Sequence, residues 1–336
     1  MKPTRVFFFS AGFVLLILIT AWTHMAEGRS SEETKHEPIA PQTSVTSPPT
    51  DGIIIDGQSE NYSIQWYYPR GLQEVTGVAL VIHGLNLKPH KMQAIISGLT
   101  DSGIEVLGLS LRGHGENYTH LEGIKEDRAR LEAFKAVSFP LWINEAYLAY
   151  SLVEKRAEQE DVPLFFVGFS LGGLIGLDLF ASQEEVRYDR MVLFAPAIKL
   201  RAIHYMARIL SPFSGLVIPS LGPDSYLSNK EGTPVAAYNA LFEGLQQFEQ
   251  HMNSKINVPT LIFIDEKDEF IPAHALNELI QEQKLDQWEL YIVAKGTEAG
   301  KDSFHHHIID EYSTGENVWK EMMKATISHF LPNRPD

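Results

Sequence analysis

Four short stretches carry residue types that could do chemistry together. In GFSLGG (168–173), Ser170 stands between glycines, directly after one apolar run and directly before another. A serine hydroxyl is a weak nucleophile near neutral pH, so it needs a base beside it and a third group to orient that base. Candidates for both lie downstream. PTLIFIDEKDEFIP (259–272) runs from an apolar stretch into a loop holding Asp265, Glu266, Asp268 and Glu269, and KDSFHHHIID (301–310) places His305, His306 and His307 in a row. Serine, acid, histidine is the chain order expected when such residues end successive strands of an open α/β sheet. Asp268 is the preferred acid, because a residue slightly beyond a strand end reaches across to the next loop; Asp265 is the alternative. His305 is the preferred base, as it lies nearest the preceding loop and leaves HHIIDE to lead into the last helix; His306 is the alternative. Neighbouring side chains point in different directions, so three adjacent histidines rarely hold one ion, and neither a metal nor a cofactor is expected.

The fourth stretch supplies hydrogen-bond donors. An acyl-transfer site needs two amides aimed at the oxygen that becomes negative, one of them at a helix start. Leu171, the residue after the serine, fills the second description, and Leu85 of VIHGLNLKPHKM (81–92) is the partner expected from the turn after an earlier strand. His83 in that turn and His114 in LRGHGEN (111–117) are read as structural.

Positioning these residues requires strands that end together. Runs at 77–84, 103–111, 163–169, 190–196, 259–265 and 288–294 are apolar on both faces, the pattern of parallel strands covered by helices on each side. Helical periodicity at 88–101, 141–159, 171–182, 273–284 and 315–330 supplies the crossovers. GIIIDG (52–57) and YSIQWYYP (62–69) suggest an antiparallel pair at the start. Residues 198–254 interrupt the rhythm with IHYMARIL and AAYNALFEGLQQFEQHM, which predicts a helical cap insertion, either an ordinary packed subdomain or a cover over the substrate.

The N-terminus is a separate object. Lys2 and Arg5 precede an unbroken apolar run from Val6 to Trp22, so residues 1–28 read as an export signal or an uncleaved membrane anchor, with the body outside the cytoplasm. Residues 29–51, rich in Ser, Thr, Pro and Glu, read as a linker, which leaves 52–336 for the folded domain. Against 43 acidic residues there are only 28 lysines and arginines, a net charge of −15 that argues against a nucleic-acid partner. With no cysteine in the chain, disulfide and thiolate chemistry are excluded.

Taken in order, the HG turn at 83–84, GHGEN at 113–117, GFSLGG, the D-x-x-x-P of Asp268 to Pro272 and the late histidines resemble the α/β-hydrolase fold, within it the monoacylglycerol lipase, lysophospholipase and serine aminopeptidase-like group. That resemblance covers roughly residues 60–332. It implies a mostly parallel central sheet with helices on both faces and a cap insertion, and a serine hydrolase acting on carboxylic esters, lipid-derived ones such as monoacylglycerols or lysophospholipids first among them. By it Ser170, Asp268 and His305 look like the triad, with Leu85 and Leu171 as oxyanion donors. Two departures stand out: Asn117 replaces the serine usual in the GHG loop, and HGLN replaces a glycine-rich turn. The rival expectations are a peptidase or amidase of the same fold and a catalytically silent binding protein.

Overall fold

Phe165 and Phe166, consecutive on one buried strand, must face opposite sides of their sheet, and each finds a helix there. Phe165 stacks on Phe330 at a centroid distance of 4.4 Å, while the Phe166 ring lies where a Cβ on Gly176 would come within 2.0 Å. Helices therefore cover both faces, and the strands between them are apolar on both sides.

The structure, a computed structural model, describes residues 63–70, 74–120, 122–297, 299 and 304–332. All of these fall in one unit, Ile53–Asp336. The expected anchor at 1–28, the linker at 29–51 and the strand at 52–57 lie outside the described residues. Among the described residues no helix is long and apolar enough to cross a membrane.

In chain order the elements are β1 (Ser63–Tyr67), β2 (Gly77–Ile82), α1 (Gln93–Thr100), β3 (Ile104–Ser110), α2 (Glu126–Lys135), α3 (Phe139–Glu160), β4 (Leu164–Phe169), α4 (Leu171–Ser182) and β5 (Arg190–Phe194). A 3-10 segment (Ala202–Leu210), β6 (Val217–Ile218), β7 (Thr233–Pro234) and α5 (Val235–His251) form the insertion. β8 (Thr260–Asp265), α6 (Ala273–Glu282), β9 (Trp288–Val293), α7 (Glu311–Thr314) and α8 (Glu316–Phe330) complete the chain. The seven-stranded sheet runs β1-β3-β2-β4-β5-β8-β9. Every neighbour pair in it is parallel except β1 with β3, where Ser63 to Tyr67 oppose Ser110 to Val106. The 62–69 run thus pairs antiparallel, with β3 as its partner.

Parallel pairing brings the strand C-termini to one edge. Ile82 pairs with Gly168, Phe169 with Phe194, Phe194 with Phe263 and Asp265 with Val293, so the turns after β2, β4, β8 and β9 rise from neighbouring points. α1 and α8 pack together on one face, and α3 and α4 on the other. Helix α3 starts where Ser138 Oγ accepts the Leu141 N–H at 3.4 Å, with proline in its first turn, and stops at Asp161 in a left-handed conformation. Its buried Glu145 accepts the Arg112 N–H at 2.8 Å and an Asn117 amide proton at 2.9 Å, which ties the 111–117 loop to the core.

The insertion divides in two. Helix α5 lays a wide apolar face on α4, burying Val235, Ala237, Leu241 and Phe248 among others, and so behaves as a packed subdomain. The Ala202–Leu210 segment buries none of its residues, and Ile203, Ile209, Phe213 and Leu216 are each about half exposed or more. The cap is joined to the body by two buried asparagines. Asn229 N–H donates to Asn86 Oδ1 at 2.8 Å, Asn86 Nδ2 donates to the Asn229 carbonyl at 3.0 Å, and Asn229 Nδ2 reaches the Gly113 carbonyl at 2.9 Å. Three segments distant in sequence meet in this one exchange, and each bond it makes in the interior would leave a desolvated group behind if broken. Asn229→Ala keeps the two main-chain bonds to Asn86 but removes the Nδ2 donation to the Gly113 carbonyl, and is expected to lower stability by about 2 kcal/mol, read as an earlier denaturant midpoint at unchanged slope; a midpoint equal to the parent's would show that this side-chain bond contributes nothing.

Candidate active site

Ser170 sits where β4 turns into α4, with φ 51° and ψ −114°, a backbone conformation most side chains avoid. Two glycines make the turn possible. A Cβ on Gly168 would lie 2.6 Å from Gly173, and one on Gly172 would lie 2.2 Å from the Ile82 carbonyl oxygen. The turn is then locked by its neighbours: Ser170 N–H donates to the Phe194 carbonyl at 3.0 Å, and the Ser170 carbonyl accepts from Ala197 at 3.0 Å.

The hydroxyl that this turn raises meets a histidine. Ser170 Oγ lies 2.9 Å from His306 Nε2, and His306 Nδ1 lies 2.7 Å from Asp268 Oδ2. The carboxylate only accepts, so Nδ1 carries the proton and Nε2 is left to accept from the serine. The other oxygen, Asp268 Oδ1, accepts the Phe270 and Ile271 N–H groups at 2.7 and 2.8 Å, and Asp268 is fully buried. Such amide bonds satisfy a carboxylate oxygen that burial has cut off from water. Phe169 and Phe270 flank the imidazole, with centroids 5.1 and 5.0 Å away.

The structure thus brings together Ser170, Asp268 and the alternative histidine, His306. His305, the base preferred from sequence, is elsewhere: its Nδ1 meets Asp265 Oδ2 at 2.7 Å, forming a second aspartate–histidine pair beside the first. Linear reach does not separate two adjacent residues, but the alternation of side chains does. One ring points to the end of β8, where Asp265 closes the strand; the next points inward to Asp268, whose N–H folds back on the Asp265 carbonyl at 3.0 Å. The third histidine, His307, stacks on Tyr226 at 4.5 Å, and Tyr226 donates to Asp310 at 2.7 Å. Among the described residues no group of histidines and carboxylates is arranged to hold a metal ion.

Leu171 opens α4, so its N–H is at a helix start beside Ser170. Leu85 follows Gly84, where an added Cβ would lie 3.1 Å from the Ser170 Cβ, so its turn passes close to the same serine. Asn86, the next residue, adopts φ 51°, a conformation asparagine tolerates better than most. Its N–H donates to His114 Nε2 at 2.9 Å, and Leu111 N–H donates to His83 Nε2 at 3.0 Å. Both rings are therefore acceptors at Nε2 and fasten the two loops near the serine, a structural role. The Asn86–Asn229 exchange and Glu145 went unnoticed in the sequence; the only signal for the first was an asparagine in a tight turn.

Residues 73–231 match the family model described as Serine aminopeptidase, S33, a span that includes Ser170 and the turn at 83–86. The AB hydrolase superfamily protein YisY of Bacillus subtilis (strain 168) is 23% identical over 228 residues, 60% of this chain and 77% of that protein. Phospholipase YtpA of the same organism is 24% identical over 152 residues, 45% of this chain and 52% of its own length. A soluble variant of monoglyceride lipase from Saccharomyces cerevisiae, solved with a substrate analog, superposes with a TM-score of 0.66 at 17% identity, covering 90% of this chain and all of the other. Sheet order, strand-to-helix serine turn and these similarities define an α/β-hydrolase. Within that fold residues 73–231 are similar to the S33 family, and the similar proteins include a lipase and a phospholipase.

Burial sets the charge of the remaining histidines. Desolvation lowers His83 to about 4 from its ordinary 6.5, and it pushes His114 and His307 well below that ordinary value too. Above pH 6.5 these groups are neutral in both folded and unfolded chains and cost nothing. As pH falls below 6.5, the unfolded chain takes up protons that the folded one refuses, so stability is lost until about pH 4 for His83. The denaturant midpoint is expected to drop between pH 7 and pH 5, His83 alone accounting for about 2 kcal/mol. A midpoint that stays flat or rises over that interval would show that these histidines are not held neutral.

Proposed function

We propose that this chain is a serine hydrolase that cleaves carboxylic esters through an acyl-enzyme on Ser170, with His306 as base and Asp268 as its orienting acid. The observation that carries the reading is the unbroken line from Asp268 through His306 to Ser170, at 2.7 and 2.9 Å. Ser170 Oγ attacks the acyl carbon as its proton passes to His306 Nε2, and Asp268 steadies the imidazolium that results. The carbonyl electron pair moves onto oxygen, where the Leu85 and Leu171 amides are assigned as donors. Collapse expels the alcohol, which takes its proton from His306, and a water activated by the same nitrogen releases the acid. No step calls for a cofactor.

Lipid-derived esters, monoacylglycerols or lysophospholipids, are the proposed substrates. The apolar exposure of Ile203, Ile209, Phe213 and Leu216 on the cap supports this, as do the lipase and phospholipase among the similar proteins. An apolar anchor at residues 6–22, holding the body outside the cytoplasm, would bring such a surface close to lipid. An aminopeptidase would need an anion for the substrate amine. Glu231 and Glu243 are both solvent-exposed, and Glu243 accepts from Gln247 at 3.1 Å, so neither favours that alternative.

The full chain should label at Ser170 with a fluorophosphonate and hydrolyse short-chain aryl esters. His306→Ala should lose at least about 10³-fold in kcat/KM, whereas His305→Ala should stay within about tenfold. The reverse order would return the base to His305, and labelling that survives Ser170→Ala would end the serine-hydrolase reading. Across aryl esters, monoacylglycerols, lysophospholipids and aminoacyl anilides, the lipid esters should give the highest kcat/KM. Preference for the anilides would identify a peptidase.

A further inference from the structure

The base stands on an irregular turn, and an irregular turn does not hold itself still. Asp268 fixes the rotation of the His306 ring through Nδ1, but setting Nε2 at 2.9 Å from Ser170 also requires a fixed main chain beneath the ring. Four consecutive residues, 304–307, are gripped through their backbone. Glu269, the residue after the acid, accepts the His305 N–H with Oε1 and the His306 N–H with Oε2, each at 3.0 Å. Lys295, two residues beyond β9, donates from Nζ to the Phe304 carbonyl at 2.7 Å and to the His307 carbonyl at 2.9 Å. One carboxylate thus takes both central amides, and one ammonium takes both outer carbonyls.

The two clamps have firm seats. The Glu269 carbonyl accepts from His204 Nε2 at 2.9 Å, and the Asp268 carbonyl accepts from Arg201 Nε at 2.8 Å, so the acid loop is anchored to the cap. Burial lowers the Lys295 pKa, while Asp265, Glu269, Asp310 and Asp268 draw it back up. Charged partners make stronger hydrogen bonds than neutral ones, and two of opposite sign on one turn leave it little freedom.

We propose that Glu269 and Lys295 are positioning residues for the base, a paired clamp that holds the 304–307 backbone so that His306 stays within reach of Ser170. This rests on the serine-hydrolase reading above. Neither side chain is assigned a contact with substrate; both act through the placement of His306. A displacement of about 1 Å at a reacting group costs on the order of 10²-fold in rate, so loosening the turn should be felt in catalysis before it is felt in binding.

The test compares Glu269→Gln, Lys295→Met and Lys295→Arg in the full chain on a short-chain aryl ester, with rates expressed per active site titrated by a fluorophosphonate. Glutamine replaces one acceptor oxygen by a donor, and methionine removes both donations. Each is expected to lower kcat by about 10- to 100-fold with KM within about twofold. Lys295→Arg, which retains donors for both carbonyls, should recover to within about fivefold of the parent. Glu266→Gln, on an exposed residue of the same loop, should match the parent. Parent-like kcat per titrated site in Glu269→Gln and Lys295→Met overturns the clamp. So does a loss confined to the number of titratable sites, or a complete absence of such sites together with loss of the cooperative unfolding transition in both, since either outcome assigns the pair to folding alone; absence of labelling with the parent's unfolding transition supports the clamp. Ser170→Ala separates the two readings: if it is inactive while both clamp variants keep full kcat, only the clamp fails.

Discussion

Everything in this site depends on how closely the main chain at 168–173 approaches its neighbours. The turn that lifts Ser170 above the sheet is strained, and it exists because β4 and α4 pass almost in contact with each other and with the end of β2. A side chain on Gly172 would overlap the Ile82 carbonyl, and Ile82 leads directly into the turn that carries Leu85. One steric condition therefore places both the proposed nucleophile and a proposed oxyanion donor. The cost of the positive φ at Ser170 is met by the main-chain bonds to Phe194 and Ala197 and by the buried strands on either side. A surface loop could not hold such a conformation; the centre of a seven-stranded sheet can.

Around that turn the protein buries many ionisable groups, and it treats acids and bases differently. Carboxylates enter the interior with partners: Asp268 with two amides and a histidine, Asp265 with His305 and the Lys267 amide, Glu145 with a backbone amide and Asn117. Three histidines, His83, His114 and His307, enter without a carboxylate, and burial holds their pKa below the ordinary value. A neutral ring that accepts at Nε2 is a compact way to satisfy a loop amide without burying a charge. Thus the residue type proposed as the proton carrier in the site serves, one loop away, as a fixed acceptor. What distinguishes His306 is its carboxylate partner on one nitrogen and a hydroxyl on the other.

Much of this was legible in the residues. Six apolar runs between turn signals predicted the parallel strands within a residue or two of β2, β3, β4, β5, β8 and β9; for all but the edge strand β9, which exposes Glu289 and Ile292, burial on both faces leaves a plain mark in composition. GFSLGG announced its turn because glycines are required where backbones touch. Helix α2 escaped notice: EDRARLEAFK is mostly charged and buries only a narrow stripe, Ala129, Leu131, Ala133 and Phe134. The choice between His305 and His306 was not legible either. It turns on which way two successive side chains point, a fact set by the backbone of 304–307 rather than by its sequence. The groups that set that backbone, Glu269 and Lys295, come from different loops and have no pattern of their own.

The cap adds a last constraint on how the site is held. Its packed half, α5, is part of the core, and its exposed half leans on that helix through Tyr205, which stacks on Phe242 at 5.7 Å. Directional polar bonds also join the insertion to the edge that carries the proposed site: Asn229 to Asn86, Arg201 to the Asp268 carbonyl and His204 to the Glu269 carbonyl. Each of these bonds ends on a loop that carries a proposed site residue, the oxyanion turn in the first case and the acid loop in the other two. Hydrogen bonds fix direction where apolar contact only fixes distance. An insertion that presents an apolar surface outward and grips two site loops through directional bonds inward helps to set where Leu85 and Asp268 stand.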